Sequence, residues 1–152
     1  DVSKLLNTII DHATTLLSAA GAGVYLYDAD RGDLELAVGK GFRIAVGTRL
    51  EIGEGMAGRV AQSRQPLILD NYKEWEDRSP QYADFDFAAV AEVPMLFRGD
   101  LVGVLAVTEF SATTRKFSDA DVRLLSLFAG NVASAVHNAR LFDETRRRLA
   151  QL

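Results

Sequence analysis

A chain of 152 residues with 48% hydrophobic residues has room for one domain and for a core that needs neither metal nor cross-links. The absence of cysteine excludes disulfides, thiolate metal sites, thiol nucleophiles and thioether-linked chromophores together. A net charge of -4 offers no basic field for nucleic acid, no apolar run approaches the ~20 residues that cross a bilayer, and Asp1-Val2-Ser3-Lys4 lacks a signal-peptide layout, so a cytoplasmic fragment without membrane contact is expected.

Apolar residues at Val2, Leu5, Leu6, Ile9, Ile10, Ala13, Leu16 and Leu17 recur every three or four positions and predict a helix over 2–20, ended by Gly21. Residues 22–27 and 34–38, separated by the turn-forming run 28–33, predict an antiparallel hairpin. A short strand over 49–52 leads through Gly53, Gly55 and Gly58 into a helix that ends near Gln65, where Pro66 stops it. These glycines read as a tight strand-to-helix turn; no lysine follows in the place a phosphate-binding loop needs one. Residues 67–69 predict a brief strand, and 70–88 a long polar and aromatic connection with a turn of helix near 80–83. Strands over 90–97 and 101–110 are joined by Arg98-Gly99-Asp100 into a second hairpin. Ser118-Asp119-Ala120-Asp121 has the spacing of a capping box and opens a helix that runs to the end.

Hairpins imply a mostly antiparallel sheet with helices in separate layers, an α+β fold. The last helix, over about 118–152, carries Leu125, Phe128, Val132, Ala135, Ala139, Phe142 and Leu149 at coiled-coil-like spacing, with Arg146 breaking the seam. At ~50 Å it exceeds the body expected for this chain length, so its end is expected to overhang and to run into a connecting helix of a larger parent. The first helix offers two seams, Val2, Leu5, Ile9, His12 and Leu16 beside Leu6, Ile10, Ala13 and Leu17. One seam can pack on the sheet and the other on a second chain. The expected homodimer interface is therefore Leu5, Ile9, His12 and Leu16 with Phe128, Ala135, Phe142 and Leu149.

The run 53–70, from Gly53 through Met56, Gly58 and Pro66 to Asp70, resembles the middle signature of GAF domains. Residues 93–105 resemble that family's central hairpin, and Phe117-Ser118-Asp119-Ala120-Asp121 through Leu124, Leu125, Ala129 and Asn138-Ala139-Arg140-Leu141 its closing helix. The resemblance covers essentially residues 1–152 as one domain. It implies a six-stranded antiparallel sheet, with the N- and C-terminal helices on one face and a ligand pocket with short helices and loops on the other. It further implies a regulatory small-molecule sensor, feeding a histidine kinase, nucleotide cyclase, phosphodiesterase or transcription activator in the same chain through dimeric terminal helices. A ligand-free dimerisation module is the alternative.

A polar loop loaded with rings suggests a lid over a ligand. The candidate ligand-binding residues are Met56, Val60, Leu69, Asn71, Tyr72, Trp75, Tyr82, Phe85, Phe87, Glu92 and Thr108. Cyclic-nucleotide-binding members carry an Asn-Lys pair and a later Phe, three residues, Asp and Glu. Here Lys73 stands one place late, and Ala91-Glu92 lacks the Asp. Covalent bilin attachment and the sulfoxide-reductase chemistry of related proteins both need cysteine. Haem would need His12 or His137, each read as a packed or interfacial histidine on a terminal helix. The sequence names no cofactor, no metal site and no catalytic set, because its Ser, His and Asp residues form no nucleophile motif and its carboxylates no pair. A non-enzymatic domain is expected.

Overall fold

A computed structural model describes residues 2–42, 44–82, 88–110 and 115–152. The first helix, α1, spans Val2–Leu17, three residues shorter than its periodicity predicts. Its end is a Schellman closure: Ser18 takes φ 52°, and the amides of Ser18 and Ala19 donate to the carbonyls of Thr15 and Thr14. Gly21, expected to stop the helix, is instead the first residue of strand β1 (Gly21–Asp28).

β1 turns into β2 (Asp33–Lys40), followed by β3 (Arg49–Glu51), helix α2 (Gly55–Ser63) and β4 (Leu67–Leu69). Two 3₁₀ turns, Tyr72–Glu74 and Pro80–Tyr82, lead towards β5 (Val90–Phe97), β6 (Asp100–Thr108) and the long helix α3 (Asp119–Ala150). The six strands form one sheet in the order β3-β2-β1-β6-β5-β4, with every pairing antiparallel. This is the α+β arrangement expected.

Strand alternation divides the side chains between two cores. Ala91, Val93 and Met95 of β5, with Leu105 and Val107 of β6 and Val24 of β1, face the layer built by α1 and α3. Tyr25, Val90, Val104 and Ala106 face the opposite layer, which holds α2 and the 3₁₀ turns. A bulge where Val24 pairs with Val38 but Tyr25 with Leu36 skips Ala37 and reverses the side on which β2 shows its side chains. Leu34 and Leu36 thereby join the α2 core while Val38 joins the helix core.

The terminal helices divide their faces differently from the expected seams. Ile9, assigned to the outer seam, is 5% exposed and packs inward beside Leu6, Ile10, Ala13 and Leu17. The apolar face of α1 is thus wide enough to fill the groove between the sheet and α3. Leu5 is half-buried, and His12 and Leu16 are exposed. On α3 the buried stripe is Leu125, Ala129, Val132, Ala133 and Val136, with Phe128 packed against its edge. Ala135 is half-buried, whereas Phe142 and Leu149 are exposed at 61% and 63%.

Candidate functional site

The sheet face turned away from α1 and α3 carries a small enclosed cavity. β1 contributes Tyr25, β5 Val90 and Glu92, and β6 Thr108. Met56 and Ala57 enter from the first turn of α2, Phe42 and Ile44 from the loop after β2, and Tyr72 and Tyr82 from the two 3₁₀ turns. The open space is about 10 Å³, the room of roughly one water molecule.

These side chains converge because of register. Val90 lies opposite Thr108, and Glu92 opposite Ala106 on β6 and Leu67 on β4, so the pleat turns Val90, Glu92 and Thr108 to one face. The 3₁₀ turns are fastened from both ends. The Tyr72 amide donates to the Ala88 carbonyl at 2.8 Å, and the Ala88 amide to the Glu109 carbonyl at 2.9 Å. Near the second turn, Glu54 before α2 accepts from Ser79 Oγ at 2.7 Å, from Gln81 Nε2 at 3.1 Å and from the Glu51 amide at 3.0 Å. Partial burial opposes its charge, yet these donors outweigh that and hold the Glu54 carboxyl below its ordinary range. Gly55 follows at φ 63°, with a Cβ at its position falling 3.0 Å from Ser79 Cβ, so the strap requires glycine there.

The lining is aromatic with a polar floor. The hydroxyls of Tyr25 and Tyr82 lie 3.0 Å apart in a hydrogen bond, and Phe42 meets Tyr25 edge-on at a centroid distance of 6.2 Å. Burial raises all three cavity phenols, Tyr82 to about 12, so they are neutral at physiological pH. Glu92 is 4% exposed, and burial pushes its carboxyl up to about 8. Among the described residues its Oε1 and the Thr108 Oγ1 have no hydrogen-bond partner. A buried polar atom in that condition is costly to the fold, and such sites accept a donor from outside the chain.

Of the candidate ligand residues, Met56, Tyr72, Tyr82, Glu92 and Thr108 come together around this cavity. Val60 and Leu69 pack in the same core without reaching the open space. Trp75 lies one layer out, against Tyr72 at 6.0 Å and under the Arg59 guanidinium at 5.5 Å, on an open groove of about 280 Å³ beside α2. Asn71 precedes the first 3₁₀ turn and does not line the cavity, and Phe85 and Phe87 lie outside the described residues. The sequence reading omitted Tyr25, Phe42, Ile44, Ala57 and Val90. Tyr25 was recoverable from its place one residue after the helix-facing Val24; Phe42 sits in a loop, where alternation carries no signal. Neither histidine reaches the site: His12 is exposed on α1, and His137 of α3 stacks on Phe97 at 4.3 Å.

The family profile described as "GAF domain" matches residues 1–137. The chain is 27% identical to a Nif-specific regulatory protein of Azospirillum brasilense over 97% of its own length and 26% of the relative's. It is 25% identical to the Nif-specific regulatory protein of Herbaspirillum seropedicae over 99% of its length and 29% of that protein's. The chain thus spans between a quarter and a third of the curated relatives it matches. Among solved structures, the GAF domain of an Acinetobacter phosphoenolpyruvate-protein phosphotransferase superposes with a TM-score of 0.82 at 20% identity, covering 95% of this chain and 87% of that one. Free methionine-R-sulfoxide reductase from Neisseria meningitidis, solved in complex with its substrate, gives 0.76 at 20% identity, covering 92% and 80%.

Proposed function

This chain belongs to the GAF domain family, and from that membership we propose that it is the small-molecule-sensing, non-catalytic domain of a longer cytoplasmic signalling protein. The carrying observation is the pair of polar atoms without partners among the described residues, Glu92 Oε1 and Thr108 Oγ1, buried in a cavity whose wall is β5. The same strand that shows Val90 and Glu92 to the cavity shows Ala91, Val93 and Met95 to the helix layer. A ligand that displaces β5 therefore acts on α3 across one thickness of sheet. In this reading α3 passes the displacement along its 32 residues to an effector domain, while the outward residues of α1 and α3 hold two copies together. The length of the relatives and their identity as Nif-specific regulatory proteins favour a transcription-activator effector over the kinase, cyclase and phosphodiesterase alternatives.

A thermal-shift screen against a metabolite and nucleotide library tests the sensing role, because a ligand that binds only the folded form raises the midpoint in proportion to its saturation. Trp75, the sole tryptophan, touches Tyr72 of the cavity wall, so a true ligand also changes its fluorescence. A second reading, a structural dimerisation module without ligand, draws on the present size of the cavity, about 10 Å³. It wins if no compound moves either signal while the chain dimerises in solution.

A further inference from the structure

Glu92 faces the cavity as a carboxyl that no cation among the described residues pairs with. From β1 and the two 3₁₀ turns, the titratable groups turned towards it are the phenols of Tyr25, Tyr72 and Tyr82. Among the described residues, α2 presents Met56 and Ala57, the loop after β2 presents Phe42 and Ile44, and β6 presents the hydroxyl of Thr108. The positive charge of Arg78 is felt at Tyr72, and the negative charge of Glu54 at Tyr82; at Glu92 burial is the cause of the raised carboxyl. An anionic ligand would meet this carboxyl with no cation among the described lining residues to receive it. The open space beside it matches one water-sized group, and a protonated amine has that size, carries three donors and takes no acceptor role. Rings around the remaining walls suit a cation further, since their faces attract positive charge.

Resting on the reading of this cavity as a ligand site, we propose that it selects small molecules bearing a protonated amine, the nitrogen seated between Glu92 and Thr108 and the carbon body among Phe42, Tyr72 and Tyr82. The body is larger than the present space, so its arrival moves the 3₁₀ turns outward. Glu92 holds its proton in the empty cavity and releases it to solvent when the ammonium group arrives. Binding then liberates about one proton per ligand near neutral pH, and affinity tightens about tenfold per pH unit up to about pH 8.

Two isosteric sets on the whole chain decide the matter: propylammonium, 1-propanol and propionate; and benzylammonium, benzyl alcohol and benzoate. Trp75 fluorescence and calorimetry in buffers of different ionisation enthalpy are the readouts. The ammonium members are expected to bind at least about tenfold tighter than their neutral and anionic partners, with proton release and the stated pH slope. Glu92→Gln is expected to remove both the preference and the slope, and Thr108→Val to weaken binding several-fold. Should Glu92→Gln fail to fold, the charge preference and pH slope of the unaltered chain decide alone. A neutral or anionic member that binds equally well, or amine binding without a pH slope, overturns the amine proposal. If the metabolite library meanwhile yields a ligand without an amine, sensing survives that failure. If neither the sets nor the library perturb the protein, both readings fall.

Discussion

The feature with the largest leverage at the scale of single residues is the Glu92 carboxyl. Its proton is held more tightly in the folded chain, about 8, than the ordinary 4.5 of an unfolded glutamate, because burial disfavours the charge. Below pH 4.5 both states are protonated and the group does not discriminate between them. As pH rises from there, the unfolded chain gives up its proton first, so stability falls until the folded carboxyl also ionises. The slope attributable to this group approaches 1.4 kcal/mol per pH unit at most, which is the free energy of one proton per unit. Urea titrations between pH 5 and 9 are expected to give wild-type stability that declines relative to Glu92→Gln across this window, the variant being the more stable above pH 8. Parallel curves for the two proteins would mean that Glu92 is solvated or paired. Glu92 entered the candidate set through the resemblance, by comparison with the acidic motif of cyclic-nucleotide-binding members. That it stands without a counter-charge among the described residues depends on which groups six other segments bring near it.

Helix ends show what is local and what is not at the scale of elements. The capping box of α3 forms as its spacing implies: the Ser118 amide donates to Asp121 Oδ2 at 2.9 Å and the Asp121 amide to Ser118 Oγ at 3.1 Å. Its two partners are three residues apart, so nothing distant is needed. By contrast, α1 closes on Ser18 and α2 on Arg64, both in the left-handed region usually given to glycine or asparagine, and neither end was marked by such a residue. The strap at Glu54 is likewise invisible along the chain, because Ser79 and Gln81 lie 25 and 27 positions away. Glu54→Ala leaves three donors without their acceptor, and a loss of about 1–2 kcal/mol is expected in denaturant unfolding. Amide exchange around 79–82 should quicken by more than exchange in the β1–β6 pair. Uniform quickening throughout the chain would place Glu54 in global stability rather than in the strap.

For the whole molecule, the terminal helices carry most of the exposed large hydrophobic residues among those described. Leu127, Phe142 and Leu149 are 72%, 61% and 63% exposed, and Leu16 of α1 is 40% exposed. None of them belongs to the monomer core, so the proposed dimer can be broken without damaging the fold. Phe142→Glu combined with Leu149→Glu is expected to leave circular dichroism and the unfolding midpoint of dilute protein unchanged, while sedimentation shifts from dimer to monomer. A species that sediments identically before and after substitution would remove these residues from the interface. Among the described residues no helix is long and apolar enough to cross a membrane.

The sequence by itself determined the order of the helices and strands, the antiparallel hairpins and the α3 cap, while five of the cavity residues were named from the ring-rich connection and the family resemblance. The order, hairpins and cap follow from periodicity and from contacts between near neighbours, which a linear chain records. Tertiary structure decided the rest: which seam of α1 turned inward, why Ile9 is core, how a bulge reverses β2, and that Tyr25 and Phe42 wall the cavity while Trp75 stands behind it. Those outcomes depend on register between distant strands and on the volume left once the layers pack, and neither quantity is written in the spacing of residues along the chain.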